Sequence, residues 1–155
     1  MKKFYSKNYW SVGFQSTLYD LLSPESYFDS LRQVVAGLPE GKNLSLLDAG
    51  CGSGLLLQFL QSRIWAGMVY TGVDLLSSGL DQTVLRAWKL GIGEGVSCFQ
   101  SNLTKPLPLS GKKFDVIVVH FSLYTLELKN SRKSALQNLR AILKQGGRII
   151  LVNPS

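Results

Sequence analysis

Residues Leu46-Leu47-Asp48-Ala49-Gly50-Cys51-Gly52-Ser53-Gly54 constrain this chain more than any other stretch. An apolar run with strand character leads into three alternate glycines, and a helical pattern from Leu55 to Ile64 follows at once. A glycine turn there lets the backbone pass close to a ligand, and the start of the next helix offers N–H groups to it. Strands of an open parallel sheet bind ligands beyond their carboxyl ends, which is where this turn would lie. A tight turn that binds nothing is the alternative; the acidic Asp48 two residues before Gly50 argues against it.

The rest of the chain repeats the same alternation. Apolar runs at Leu44 to Ala49, Met68 to Val73, Val96 to Gln100, Phe114 to Phe121 and Arg148 to Val152 are separated by helical patterns at Leu55 to Ile64, Leu80 to Leu90 and Ser134 to Leu143. Several runs are apolar without alternation, as strands buried on both faces are. The spacing predicts a three-layer α/β domain around a parallel sheet. Ahead of it, Ser23 and Pro24 predict the start of a helix, with Tyr27, Phe28, Leu31, Val34, Val35 and Leu38 at helical spacing and Gly37 and Pro39 at its end.

Composition removes several function classes. With 45% hydrophobic and 17% charged residues in 155, the chain has one sizeable core and is not a disordered segment. Its net charge of +7 raises the question of an anionic partner. The basic residues are scattered, with no run interleaved with stacking aromatics, so nucleic acid is disfavoured. Two distant cysteines and one histidine cannot build a usual structural zinc site, and no apolar run is long enough for a membrane-spanning helix. Two unpaired-looking cysteines and no leader-like start after Lys2 and Lys3 lead to the expectation of a reduced, cytoplasmic compartment.

Beyond the glycine turn, Tyr70-Thr71-Gly72-Val73-Asp74 ends a second strand in a carboxylate about twenty residues on. A carboxylate there can accept two ribose hydroxyl protons, or it can cap the next helix. A dinucleotide fingerprint would have glycine where Leu55 stands, so the spacing is G-x-G-x-G instead. Together with Asp48 and Asp74, this resembles class I S-adenosylmethionine-dependent methyltransferases. The resemblance runs from Leu44 to Asn153 and includes Phe114-Asp115-Val116-Ile117-Val118-Val119-His120 as a fourth strand and Leu139 to Arg148 as helix, turn and fifth strand, with Gln145 where proline is frequent.

The resemblance implies a Rossmann-like core over residues 44–155 with a mostly parallel sheet in the order 3-2-1-4-5 and helices on both faces. It implies S-adenosylmethionine as cofactor and S-adenosylhomocysteine as product. Ala49, Gly50, Cys51, Gly52 and Gly54 would wrap the methionyl part, Asp48 would position its amino group, and Asp74 with Leu75 would take the ribose. Asn102 and Leu103 would lie beside the adenine, Asn102 standing where the family usually has an acid; as a plain residue it is equally a turn former before Pro106. His120 would face the cofactor from the fourth strand's tip, either as a general base or as pocket wall. No catalytic residue is singled out, because positioning alone can supply on the order of 7 to 11 kcal/mol of such a reaction. Cys51 reads as a small buried filler.

Residues 1–43 are expected to form an aromatic-rich helical lid, with Tyr5, Tyr9, Trp10 and Phe14 either enclosing a small apolar or aromatic substrate or packing as core. A non-catalytic cofactor-binding domain and a nucleic-acid methyltransferase are the rival readings; the fourth strand lacks an Asn-Pro-Pro-aromatic tip, and Asn153-Pro154 follows another strand. A nicotinamide oxidoreductase is the remotest reading. The resemblance stops after the fifth strand, short of the usual C-terminal antiparallel strand pair. A truncated, weakly active form is therefore expected, one that self-associates through the exposed edge Arg148 to Val152.

Overall fold

A computed structural model describes residues 25–109 and 111–153. The lid expected of the N-terminal aromatics, and the helix start at Ser23 and Pro24, fall outside the described residues. Along the chain run α1 (Glu25–Ala36), β1 (Ser45–Ala49), α2 (Leu57–Trp65), β2 (Val69–Asp74), α3 (Ser77–Lys89), β3 (Val96–Gln100), β4 (Phe114–His120), α4 (Lys129–Ala141) and β5 (Leu143–Val152). The five strands form one sheet in the order β3-β2-β1-β4-β5. Every neighbouring pair is parallel, as in Leu46↔Tyr70 and Leu46↔Val116.

Strand periodicity divides the core between the two faces. Leu46, Tyr70, Val116 and Val118 face a cluster with Leu31 and Val34 of α1 and Leu57, Leu60 and Ile64 of α2. Leu47, Ala49, Ile117 and Val119 face the opposite cluster with Ala135 and Leu139 of α4. Alternate residues of one strand thus go to opposite layers, and both layers are apolar, which is why β1 and β4 read as unbroken apolar runs. The edge strand β3 has no fully buried residue.

Several boundaries differ from the sequence reading, and three of them have a visible cause. Helix α2 begins at Leu57, because Leu57, Gln58 and Phe59 donate to the carbonyls of Gly54, Leu55 and Leu56 in tight i to i−3 turns. Helix α4 begins at Lys129, five residues before the apolar period becomes visible, since Lys129-Asn130-Ser131-Arg132-Lys133 is polar throughout. Strand β5 begins at Leu143, where a turn around Gln145-Gly146-Gly147 is predicted. Leu143 pairs with Phe114 and Arg148 with Val116, and the extra residues between them form a bulge with Gly146 at φ 77°.

Candidate functional site

The strand order reverses between β1 and its neighbours β2 and β4, and a cleft of about 510 Å³ opens there at the carboxyl ends of the strands. Its floor is the glycine turn. Gly50, Gly52 and Gly54 have φ of 82°, 56° and 79°, values that favour glycine. A Cβ on Gly50 would lie 2.4 Å from Ser122 Cβ, and one on Gly54 would lie 2.8 Å from Thr83 Cγ2. Helix α3 approaches as closely from below: a Cβ on Gly79 would stand 2.7 Å from the Gly52 carbonyl.

The turn is tied down by its own chain. Gly50 and Cys51 N–H donate to the Val73 carbonyl at 2.8 and 3.0 Å, and Gly54 N–H donates to the Cys51 carbonyl at 3.0 Å. Gly52 N–H donates to Asp74 Oδ2 at 2.8 Å. Thr83 Oγ1 donates at 3.0 Å to the Gly52 carbonyl and Arg86 Nε at 3.0 Å to that of Ser53. The sequence reading expects N–H groups held out to a ligand; these four are instead satisfied by the tip of β2 and by the turn itself.

Asp74 lines the cleft beside Leu75. Its Oδ1 also accepts from Leu76 N–H at 3.0 Å, so the carboxylate braces the turn and the start of α3 together. Burial pushes its pKa up, opposed by those N–H donors. Asn102 and Leu103, just beyond the end of the neighbouring strand β3, also line the cleft. Asn102 Oδ1 accepts from Thr104 N–H at 3.0 Å and Thr104 Oγ1 at 2.7 Å, which uses both lone pairs and makes it the turn former that its sequence position allows.

Asp48 and Ala49 lie under the floor instead of on the cleft wall. Asp48 is 3% exposed, and Tyr70 Oη donates to its Oδ2 at 2.6 Å. Burial pushes its carboxyl up to about 7, against the pull of the Tyr70 hydroxyl. Ala49 is fully buried, and its carbonyl accepts from Ser122 Oγ at 2.8 Å. Gly54 likewise packs against Thr83. Cys51 lines the cleft edge, but burial raises its thiol pKa well above the ordinary value, which fits filler and not nucleophile.

Across the cleft, the tip of β4 is built from side chains. His120 is 7% exposed and reaches both the main cleft and a cavity of about 20 Å³ that Asp48 also faces. Its ring stacks on Phe121 at 4.2 Å and meets Tyr27 edge-on at 4.9 Å. Its Nε2 stands 2.7 Å from Ser30 Oγ. Burial lowers its pKa to about 4, so the ring is neutral at pH 7. Phe121 has φ 54°, a strained value for an aromatic residue, and its N–H is held by the Val152 carbonyl at 2.8 Å. Sequence reasoning reached His120 from its strand-tip position; it missed the contribution of α1 through Tyr27 and Ser30, which no local pattern announces. Among the described residues no cluster of three or more His, Cys, Asp or Glu could hold a metal ion, and no helix is long and apolar enough to cross a membrane.

An open parallel α/β sheet with a glycine turn after its first strand and an acid ending its second defines a nucleoside-cofactor class of fold. Residues 47–151 match the family described as "Methyltransferase domain", more than half of the chain, and the protein belongs to that family. No curated protein matches its sequence. Among solved structures, it is similar to a SAM-dependent methyltransferase from Thiobacillus denitrificans in complex with S-adenosyl-L-homocysteine, with 25% identity and a TM-score of 0.63 over 79% of this chain and 47% of that one. A SAM-dependent methyltransferase from Geobacter sulfurreducens, also with S-adenosyl-L-homocysteine, gives 23% identity and 0.64 over 79% and 47%. A SAM-dependent methyltransferase from Aquifex aeolicus gives 18% identity and 0.73 over 89% and 72%. The chain spans about half the length of the first two.

Proposed function

We propose that this chain is the cofactor-binding core of an S-adenosylmethionine-dependent methyltransferase that acts on a small apolar or aromatic acceptor. The observation that carries the reading is the half-buried carboxylate of Asp74, which lines the cleft together with Leu75 and the apolar side chains of Leu103 and Leu126. Its raised pKa reflects lost solvation, and two vicinal hydroxyl donors would restore what burial removes. The residues present therefore fit a ribose. The cofactor, when bound, supplies a methyl group activated by its sulfonium.

Each part of the cleft then has a task. Gly50 and Gly52 keep the floor low enough for the methionyl chain, and Asp74 fixes the ribose. Leu75 and Leu103 flank the adenine, and Asn102, its carbonyl already engaged, offers its amide N–H groups. Asp48 acts from beneath, through the turn that it underlies. Tyr27, Phe121, Leu126 and Leu128 form the apolar wall for the acceptor. At 69% exposed, Leu128 is an apolar rim of the kind that a ligand covers.

Titration calorimetry with S-adenosylhomocysteine tests the reading. Binding at one site per chain, and loss of most of it in Asp74→Ala, are the expected results; binding of a nicotinamide dinucleotide in its place would overturn it.

A further inference from the structure

We infer that His120 is the base that receives the acceptor's proton, that Ser30 holds it in the one tautomer suited to this, and that the acceptor is a hydroxyl compound. The inference rests on the proposed methyl transfer and names its substrate class.

The tautomer follows from counting protons. Ser30 Oγ lies 2.6 Å from the Tyr27 carbonyl and 2.7 Å from His120 Nε2. The carbonyl has no proton to give, so the single hydroxyl proton of Ser30 points at it, back along α1. Ser30 Oγ can then only accept from His120, which places the imidazole proton on Nε2 and leaves the lone pair on Nδ1. Nδ1 has no hydrogen-bond partner among the described residues. Phe121 on one face and Tyr27 at the edge hold the ring in place, and the ring borders the cleft. Two residues of one turn of α1 and the ring's own neighbour Phe121 thus converge on one imidazole whose open nitrogen is an acceptor.

The chemistry of the base selects the acceptor. The open Nδ1 lone pair can accept a hydrogen bond from a hydroxyl, whereas an imidazole, whose ordinary pKa of about 6.5 burial lowers further, cannot strip an alkylammonium group with a pKa of about 10. A hydroxyl needs no prior deprotonation. As its oxygen lone pair forms the new bond to the methyl carbon, the carbon–sulfur electron pair stays on sulfur as a neutral thioether. The hydroxyl proton becomes strongly acidic and passes to Nδ1, then to water. Asp48 lines the same small cavity as His120. Ser30 is a positioning residue; His120 is the group that touches the acceptor.

The chain contains one histidine, so its imidazole nitrogens give a single pair of signals in a ¹⁵N spectrum of tag-free protein. The expected spectrum at pH 7 shows a protonated Nε2 and an unprotonated Nδ1, with and without S-adenosylhomocysteine. Phenol added to the S-adenosylhomocysteine complex should move the Nδ1 signal as it accepts a hydrogen bond, and toluene should leave it in place. Ser30→Ala should mix the tautomers while S-adenosylhomocysteine affinity stays unchanged, and Ser30→Thr should restore one tautomer. A protonated Nδ1 in the wild type, an unchanged tautomer in Ser30→Ala, or no response of Nδ1 to phenol overturns the inference, whether or not the variants fold equally well. Loss of S-adenosylhomocysteine binding alone speaks against the function, because the tautomer is read in the free protein too.

Discussion

The two walls of the cleft are made by different means. At the tips of β1 and β2 the shape is a backbone shape: glycines at positive φ, N–H groups tied to Val73 and Asp74, and a helix pressed against the turn. At the tip of β4 it is a side-chain shape, in which His120, Phe121, Tyr27 and Ser30 meet from elements about ninety residues apart. The first kind is written locally, in a few consecutive letters. The second exists only after the sheet and α1 have packed.

The contrast breaks most sharply at Gly50, the residue of the first wall that touches the second. Gly50→Val would drive a Cβ into Ser122 at an already unfavourable φ, and should cost on the order of 3 kcal/mol of stability together with all S-adenosylhomocysteine binding. Denaturant unfolding and calorimetry measure both. Gly52→Val, at φ 56°, should lose binding with the fold kept. Asp74→Ala comes next: affinity for S-adenosylhomocysteine should fall by about 1.5 to 3 kcal/mol, the scale of hydrogen bonds to a charged group, and an unchanged Kd would remove Asp74 from the ribose role.

Stability against pH sharpens the comparison, since Asp48 lies beneath the first wall and His120 stands in the second. Asp48 rises from 3.8 to about 7 on folding, so the stability that it contributes is lost as pH climbs through that window. His120 falls from 6.5 to about 4, so its contribution is present above 6.5 and lost as pH drops toward 4. Between about pH 4 and 6.5 the two slopes oppose, and wild-type stability should be nearly flat from this pair. Asp48→Asn should unmask stability rising with pH, and His120→Gln stability falling with pH, each with a slope of at most about 1.4 kcal/mol per pH unit. Urea midpoints across that range decide it; parallel curves for both variants would show the pair to be silent. The smallest effect is expected at the outer edge of β5, unpaired among the described residues, where Leu151 is 44% exposed. Leu151→Lys should reduce concentration-dependent sedimentation of the chain, and identical behaviour of the two would leave the edge without a role in association.

How much was legible follows the same division. The strands, the glycine turn and the acid that ends β2 could be read because backbone conformation and strand burial leave direct traces in residue type, while the strand order came only with the family resemblance. Helix α4 lost its first turn to the reading because a solvated polar turn has no periodicity, and the bulge of β5 looked like a simple turn because glycine serves both. The place of Asp48 beneath the floor and the capture of Asn102 by Thr104 depend on neighbours that only packing supplies. Ser30, an unremarkable helix residue in the sequence, gains its interest from a ring on another layer.

The anchoring of the glycine turn has a thermodynamic consequence for whatever enters the cleft. Ordering a free backbone costs about 1 to 2 kcal/mol per residue, and a loop that closed only around its ligand would subtract that sum from the affinity. Here Val73, Asp74, Thr83 and Arg86 hold residues 50–54 in place already, so folding bears the ordering cost and the incoming molecule meets a finished surface. Its association is then governed by fit and desolvation, with little entropy of loop closure to overcome.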